Sequence, residues 1–93
     1  YIILVKISTK DYEKSFKEAS LIGEYLRKNL SPTTYILGPA MSSVFRINNV
    51  YYQQCIIKYK KDAKLRDTLI KLDEHYKTNN KVKVEIDIDP NHL

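Results

Sequence analysis

The stretch RINNVYYQQCIIKYKK, Arg46–Lys61, contains a turn followed by a complete strand, and the rest of the topology can be built outward from it. Asn48 and Asn49 separate two apolar segments, SSVFRI and VYYQQCIIKY. Asparagine tolerates the positive φ that a two-residue hairpin requires, so the stretch predicts a β-hairpin with its turn at these two residues. Its tyrosines and lysines also pose a question of function, because they suit either a nucleic-acid surface or an ordinary strand with a solvated end.

Upstream of the hairpin, the pattern predicts a strand, a helix and another strand. The segment YIILVKIS, residues 1–8, is apolar and β-branched, which is typical of a buried strand. Ser8, Thr9 and Asp11 then offer helix-start chemistry. Apolar residues then recur at spacings of four and three, on a stripe expected to face the core: Tyr12, Phe16, Ala19, Gly23, Leu26 and Leu30. Pro32 ends this helix, and the strand TYILGP runs into a turn predicted at Gly38-Pro39.

Downstream of the hairpin, the pattern predicts a second helix and a last strand. Asp62 is expected to cap the helix, which Thr78–Asn80 end. Its buried stripe is predicted to comprise Leu65, Leu69, Leu72 and Tyr76. The segment VKVEIDID then alternates strictly up to Pro90. The residues expected to face inward are Val82, Val84, Ile86 and Ile88, and those expected to face outward are Lys83, Glu85, Asp87 and Asp89.

The predicted order is β-α-β-β-α-β, with one extra short strand around Ser42–Ile47. Two helices on one face of a mainly antiparallel, four- or five-stranded sheet give an α+β fold of the ferredoxin-like type. We expect a single domain over residues 1–93, with the other face of the sheet open to nucleic acid or to another domain. Because the chain starts at Tyr1, inside a strand and without a methionine, we also expect it to be an excised part of a longer protein.

The composition narrows the classes of function. The 93 residues carry a formal net charge of +5, which favours polyanions or an acidic protein as partners. With two glycines, a glycine-rich phosphate loop is excluded. Cys55 is the single cysteine, so an internal disulfide and a thiolate metal cluster are excluded, and we expect it to pack as a small hydrophobe. Apolar runs of the ~18 residues needed to span a membrane do not occur.

A basic cluster follows the hairpin strand. It consists of Lys58, Lys60, Lys61, Lys64 and Arg66 and contains one acidic residue, Asp62. Amines beside phosphates release condensed counterions, which gives a sequence-independent affinity that falls as salt rises. A solvated corner between a strand and a helix would carry the same charges, so the pattern leaves both interpretations open.

Tyrosines precede this cluster on the same predicted strand. Tyr51 and Tyr59 share one face of it, and Tyr52 lies on the other face with Gln54. Tyrosine rings stack on unpaired bases, but they also suit half-buried sheet positions. The glycine-containing aromatic motif of RNA-recognition sheets is absent from the sequence, so that particular fold is excluded.

The remaining candidate site residues point to surface roles. Three carboxylates alternate along the last predicted strand: Glu85, Asp87 and Asp89. Together they could bind a divalent ion, or one of them could act as a base with a raised pKa. Pairing with lysine or arginine on a neighbouring strand is the favoured interpretation, since no histidine, serine nucleophile or second acidic motif accompanies them in the sequence. His75 and His92 have no partner at metal-ligand spacing and are interpreted as surface residues.

The segment LGPAMSSVFRINNVYYQQCIIKYKKDAKLRDTL and the ending VKVEIDIDPNHL resemble the C-terminal domain of the primosomal protein N′ (PriA) family of replication-restart DNA helicases. The resemblance spans nearly the whole chain. The matching residues are the turn Gly38-Pro39-Ala40, then Arg46, Tyr51 and Gln54, and the closing motif Ile86, Asp87, Ile88, Asp89 and Pro90. Two further arginines of the family fall at Val50 and Tyr52, and its second aromatic falls at Gln53. Any phosphate contact made by those arginines in relatives is therefore not transferred to this chain.

The resemblance implies a DNA-binding and docking module of a cytoplasmic bacterial helicase that moves 3′ to 5′ and restarts stalled forks. ATP, Mg and structural Zn would belong to the parent protein, and this fragment would be neither an enzyme nor a cofactor carrier. The implied partners are single-stranded or forked DNA, the acidic C-terminal tail of single-stranded DNA-binding protein, and the helicase core of the same chain. The residues expected to bind DNA are Arg46, Tyr51, Tyr52, Lys58, Lys60, Lys61 and Lys64.

Two other hypotheses remain. The first is a purely structural or protein-interaction domain that packs on the helicase core and has no DNA affinity of its own. The second is an enzyme or small-ligand regulatory domain that uses Glu85, Asp87 and Asp89.

Overall fold

The computed structural model describes residues 1–88, apart from the side chains of residues 43–45. Its elements are β1 (Ile2–Thr9), α1 (Tyr12–Asn29), β2 (Tyr35–Ile47), β3 (Val50–Lys58), α2 (Leu65–Lys77) and β4 (Val82–Ile88). The strands form one antiparallel sheet in the order β2-β3-β1-β4, and both helices pack on the same face of it. The predicted α+β, ferredoxin-like arrangement is confirmed. Asp89, Pro90 and His92 lie outside the described residues.

The β2–β3 hairpin forms where it was predicted. Asn48 and Asn49 have φ angles of 51° and 65°, and Ile47 pairs with Val50 across the turn. Positive φ at both central residues matches the right-handed twist of the flanking strands. The hairpin places β3 beside β2, and β3 then pairs with β1 at the centre of the sheet.

The two faces of the sheet differ in burial because side chains alternate along each strand. Ile3, Val5 and Ile7 of β1 are buried under the helices, whereas Ile2 and Leu4 lie on the opposite, open face. On β3, Cys55 and Ile57 are buried in the same core. In β4 the alternation holds for Val82, Val84 and Ile86, but Ile88 is 63% exposed because it lies at the end of an edge strand. The open face predicted from the topology is therefore present.

Helix α1 starts as predicted, but its buried stripe differs from the predicted one. The Asp11 side chain caps the helix by accepting a hydrogen bond from the Lys14 backbone N–H (3.0 Å). Tyr12 and Phe16 were expected in the core, yet they are 53% and 38% exposed, and Ser15 is fully buried in their place. The start of the helix presents a small side chain to the sheet there, and the aromatic rings pack beside it: the Tyr12 ring lies 5.3 Å from that of Tyr51.

Helix α2 has the predicted stripe but begins later than expected. Its buried residues include Leu65, Leu69, Leu72 and Tyr76, as the spacing indicated. Asp62 was predicted to cap the helix, whereas the position before the helix is occupied by Lys64, which makes no side-chain capping bond. The Tyr76 hydroxyl donates to the Glu18 carboxylate of α1 (2.9 Å). Burial and the Glu18 carboxylate raise the pKa of Tyr76. Among the described helices, none is long and apolar enough to cross a membrane.

Strand β2 is irregular at Gly38-Pro39, where the sequence predicted a turn. The chain does not reverse there; instead the pairing with β3 shifts register between Leu37 and Ala40, and it shifts again between Met41 and Arg46. The predicted strands before and after Pro39 are thus two parts of β2. Gly38 has a φ of +98°, and a Cβ at this position would lie 2.8 Å from the Gln54 carbonyl oxygen. The irregularity therefore requires glycine for both its dihedral angle and its close approach to β3.

Replacing Gly38 by alanine is expected to lower the free energy of unfolding by about 1–3 kcal/mol, because a positive φ is strained for an L side chain. The contact with a backbone oxygen adds to this cost, since neither atom is at the end of a flexible side chain. Urea unfolding at neutral pH measures the change. Ala40→Gly is the matched control and should cost less than about 1 kcal/mol. Equal stability of Gly38→Ala and the parent chain would show that the register shift does not depend on glycine.

Candidate nucleic-acid interface

Three of the predicted lysines meet tyrosines in one surface depression, which we call the basic corner. Lys58 ends β3, and Lys60 and Lys61 lie in the segment that follows it. The depression has a volume of about 420 Å³. Its lining includes Lys58, Lys60, Lys61, Tyr1, Tyr35 and Tyr59. Both components of a surface for single-stranded nucleic acid, amines and exposed aromatic rings, are therefore side by side.

The tyrosines of the basic corner are held by backbone pairing. The Tyr59 N–H donates to the Tyr1 carbonyl oxygen (3.0 Å), and the Tyr1 nitrogen donates to the Tyr59 carbonyl oxygen (2.8 Å). Their rings lie 5.4 Å apart at an angle of 32°. Tyr35 is directly opposite Lys58 in the β2–β3 register and is 72% exposed. Antiparallel pairing thus places an exposed ring beside an exposed amine.

The amines of the basic corner are not neutralised by carboxylates. Within residues 1–42 and 46–88, the side-chain ion pairs are Lys6–Asp87 (3.8 Å) and Lys83–Glu85 (3.1 Å). Lys58, Lys60 and Lys61 take part in neither pair and are exposed. The corner thus keeps its positive charge available for an anion in solvent.

Asp62 ties the basic corner to the loop after α1. Its carboxylate accepts hydrogen bonds from the Ser31 N–H (2.9 Å), the Thr34 hydroxyl and the Lys64 N–H (2.9 Å). Burial alone would raise the pKa of Asp62, but these hydrogen bonds and the charge of Lys64 outweigh it and leave the pKa below its ordinary value. Asp62 therefore positions the segment that carries Lys60 and Lys61, rather than capping α2 as predicted.

Changing Asp62 to asparagine is expected to destabilise the chain by on the order of 1 kcal/mol at neutral pH, since hydrogen bonds to a charged acceptor are weakened. A carboxyl with a lowered folded pKa contributes stability above its unfolded pKa and loses it as pH falls through the folded pKa. The difference between parent and variant should therefore shrink below about pH 4. Urea unfolding across pH measures it, with exposed Asp73→Asn as control. A difference that does not change with pH would exclude this role for the Asp62 charge.

Lys64 and Arg66, the other basic residues of the predicted cluster, lie outside the basic corner. Lys64 is exposed at the start of α2 and does not line the basic corner. Arg66 lines a different groove, between α2 and β4, together with Leu69 and Ile86. The cluster seen in the sequence is thus divided between two surfaces.

The remaining predicted DNA-binding residues lie at the far end of β3. Arg46 is opposite Tyr51 in the β2–β3 register, and its guanidinium lies 5.5 Å from the centre of that ring. Tyr51 is on the helix face, opposite the buried Thr9. Tyr52 is half-buried on the open face opposite Ser8. The structure therefore does not unite the seven predicted residues in one site.

Two tyrosines of the basic corner were missed by the sequence analysis. Tyr1 lies 57 to 60 positions, and Tyr35 lies 23 to 26 positions, from the lysines that they join. The pattern around each of these tyrosines predicts only a strand. The signal that would have found Tyr35 is its position at the start of the strand paired with β3, opposite Lys58.

The carboxylates of the last strand are accounted for by pairing. Asp87 pairs with Lys6 on the neighbouring strand β1, and Glu85 pairs with Lys83 on β4 itself. Among the described residues, no group of three or more His, Cys, Asp or Glu side chains is placed to hold a metal ion. The predicted pairing with a basic residue on the neighbouring strand is confirmed for Asp87, whereas Glu85 pairs within its own strand.

His75 and Cys55 occupy ordinary structural positions. His75 is exposed on α2, with its ring edge-on to that of Tyr76 at 4.8 Å. Cys55 is fully buried, as expected for a small hydrophobe. Burial raises the pKa of the Cys55 thiol to about 11, and the charge of Arg27 opposes this rise only in part. The thiol is therefore protonated and shielded at neutral pH.

Comparison with known proteins places this arrangement in a family. A de novo designed protein, Foldit4, superimposes with a TM-score of 0.67 at 15% identity over 91% of this chain and 90% of its own, which reflects the fold alone. The "Replication restart protein PriA" of Bacillus subtilis (strain 168) is 38% identical over 93 residues, and the chain spans 12% of its length. Residues 1–91 match the family described as "Primosomal protein N C-terminal domain". The chain therefore belongs to the family of primosomal protein N (PriA) C-terminal domains.

Proposed function

We propose that this chain is the DNA-binding and docking domain of a bacterial replication-restart helicase, and that it contacts the DNA backbone through the basic corner. The observation that carries the proposal is the convergence of Lys58, Lys60 and Lys61 with exposed tyrosines, all without carboxylate partners in the described part of the chain. Lysines neutralise phosphates as point charges, and contacts with phosphates carry no base identity. Such contacts suit a protein that acts at forks of any sequence.

The tyrosines support a preference for unpaired strands. Tyr1 and Tyr35 are each 72% exposed and line the same depression as the lysines. Exposed aromatic rings stack on unpaired bases, and each stacked base contributes about 1–3 kcal/mol to binding. In a duplex the bases are stacked on one another inside the helix and do not reach such rings. We therefore expect tighter binding to single strands, or to the single-stranded part of a fork, than to blunt duplex.

The open face of the sheet is suited to docking on the rest of the parent protein. It exposes Leu37 and partly exposes Ile2, Leu4 and Ile56, and these residues are neighbours in the strand register. A contiguous apolar patch of this kind is typical of an interaction surface. We propose the helicase core of the same protein as its partner. ATP, Mg and structural Zn would be bound by that core, in a cytoplasmic protein.

The acidic tail of single-stranded DNA-binding protein is the second proposed partner. Its carboxylates would meet the same unpaired amines that meet phosphates, because both ligands are recognised by charge. We therefore expect an acidic tail peptide to displace DNA from the basic corner.

Fluorescence anisotropy tests the proposed function directly. Labelled single-stranded, forked and duplex DNA of several sequences would be titrated with the 93-residue chain across a salt series. We expect sequence-independent binding whose affinity falls as salt rises, with a slope of about 0.7 per phosphate contact for single strands. No measurable affinity at low salt would reject DNA binding and favour the purely structural domain.

A further inference from the structure

A second concave basic surface lies at the opposite end of the sheet from the basic corner. There the β1–α1 and α2–β4 connections come together around a depression of about 770 Å³. We call it the lysine pocket, after four of the residues that line it: Lys10, Lys14, Lys81 and Lys83. Neither the DNA-binding residues predicted from the sequence nor the basic corner includes any of these four lysines.

The lysine pocket keeps most of its positive charge. Asp11 is the carboxylate that lines it, and one of its oxygens already accepts the Lys14 backbone N–H as the cap of α1. Lys83 pairs with Glu85 at 3.1 Å, but both side chains are more than half exposed, so this pair is weak and screened by salt. Lys10, Lys14 and Lys81 form no ion pair within the described portion of the chain. The depression is thus lined by four lysines and one acidic residue.

The backbone around the lysine pocket is held in place. The Asn79 side-chain oxygen accepts hydrogen bonds from the N–H groups of Lys81 (2.8 Å) and Val82 (3.1 Å). The Thr9 hydroxyl accepts one from the Asp11 N–H (3.3 Å) on the other side of the pocket. The two connections, which carry Lys10 and Lys81, are therefore hydrogen-bonded close to the strands that they join.

The lysine pocket is too far from the basic corner to act with it as one site. Strand β1 joins the two: Ile2 lines the basic corner, and Thr9 lines the lysine pocket. Seven steps along a strand span ~23 Å. The Debye length is ~8 Å at physiological ionic strength, so each cluster presents its own field to an anion. The two basic surfaces are therefore electrostatically independent of each other.

We propose that the lysine pocket binds the phosphate backbone of a second nucleic-acid segment, so that the domain holds two segments at once, one at each end of the sheet. The pocket is open and its amines are on flexible stems, whereas a small-molecule site needs a few fixed, buried polar groups. Such a surface recognises a chain of phosphates without reading bases. The proposal rests on the proposed function, because the first segment is the one bound at the basic corner.

Titration with a short oligothymidylate, too short to span both ends, tests the proposal. Amide shifts in ¹⁵N-labelled chain identify the residues that respond, and calorimetry counts the bound copies. We expect two copies per chain, with shifts at Lys10 and Lys81 in one group and at Lys60 and Lys61 in the other. The double variant Lys10→Ala/Lys81→Ala should lose the first group of shifts and one bound copy, and keep the other. Its unfolding midpoint in urea, matched to the parent, confirms that it is folded.

The controls separate this proposal from the proposed function. Lys17→Ala/Lys71→Ala removes the same charge from exposed positions on the helices and should keep both copies. A single copy with shifts confined to the basic corner would overturn the lysine pocket and leave the proposed function intact. If one oligonucleotide binds, at the lysine pocket, and its affinity is unchanged in Lys60→Ala/Lys61→Ala, both DNA binding at the basic corner and the two-segment arrangement are overturned.

Discussion

Replacing Lys60 and Lys61 together by alanine should weaken the binding of single-stranded DNA about 20-fold at ~0.1 M salt, if each amine makes one phosphate contact. The same change should flatten the dependence of log affinity on log salt by about 1.4, because each contact with a single strand contributes ~0.7. Both lysines are exposed and have no carboxylate partner among the described residues, so their removal does not unbalance a buried charge. The loss should be equal for all sequences, since phosphates carry no base identity.

The matched control for this pair is Lys17→Ala/Lys71→Ala, which lowers the net charge equally but lies on the helical layer. If the basic corner makes specific contacts, the control should keep most of its affinity. Equal losses in the two double variants would mean that net charge alone attracts DNA. An unchanged affinity in Lys60→Ala/Lys61→Ala would remove the basic corner from the interface and favour a domain that only packs on the helicase core.

Changing Leu26 to alanine should lower the free energy of unfolding by about 2–5 kcal/mol, the range for deleting a fully buried leucine side chain. Leu26 is 0% exposed and belongs to the core between α1 and the sheet. Its loss removes three carbon atoms and leaves a cavity that a close-packed interior refills only in part. Because a folded domain has about 5–15 kcal/mol of stability in total, this loss is a large fraction of it and should clearly lower the urea midpoint.

Leu21→Ala is the matched control because it makes the same chemical change on the same helix. Leu21 is 48% exposed, so little apolar surface returns to water, and the cost should stay below about 1 kcal/mol. Urea unfolding followed by circular dichroism measures both variants. Similar losses at the two positions would contradict the assignment of Leu26 to the core and Leu21 to the surface.

Local patterns predicted most of the fold. The paired asparagines located the hairpin, and spacings of four and three located the buried face of α2, because both depend on backbone geometry within a few residues. Alternation likewise assigned Tyr51 and Tyr52 to opposite faces of β3. Each of these predictions depends on the local backbone geometry of the segment and not on what the segment packs against.

The errors occur where packing overrides the local period. Tyr12 and Phe16 continue the apolar stripe of α1, yet they lie outside the core, where the fully buried Ser15 takes the place nearest the sheet. Gly38-Pro39 has the composition of a turn, but the pairing with β3 continues on both sides of it. In both cases the outcome depends on a neighbouring element that is distant in sequence.

The same division applies to the candidate site. The order of strands and helices, the excess of positive charge and the chemistry of each side chain follow from the residues and their local spacing. Which of these side chains come together is decided by strand pairing. It joins Tyr35 and Tyr1 to the lysines at and after the end of β3, and it leaves Arg46, on β2, beside the other end of β3. The physical reason is that side-chain direction repeats over two to four residues, whereas a surface is assembled from segments brought together by the shared core.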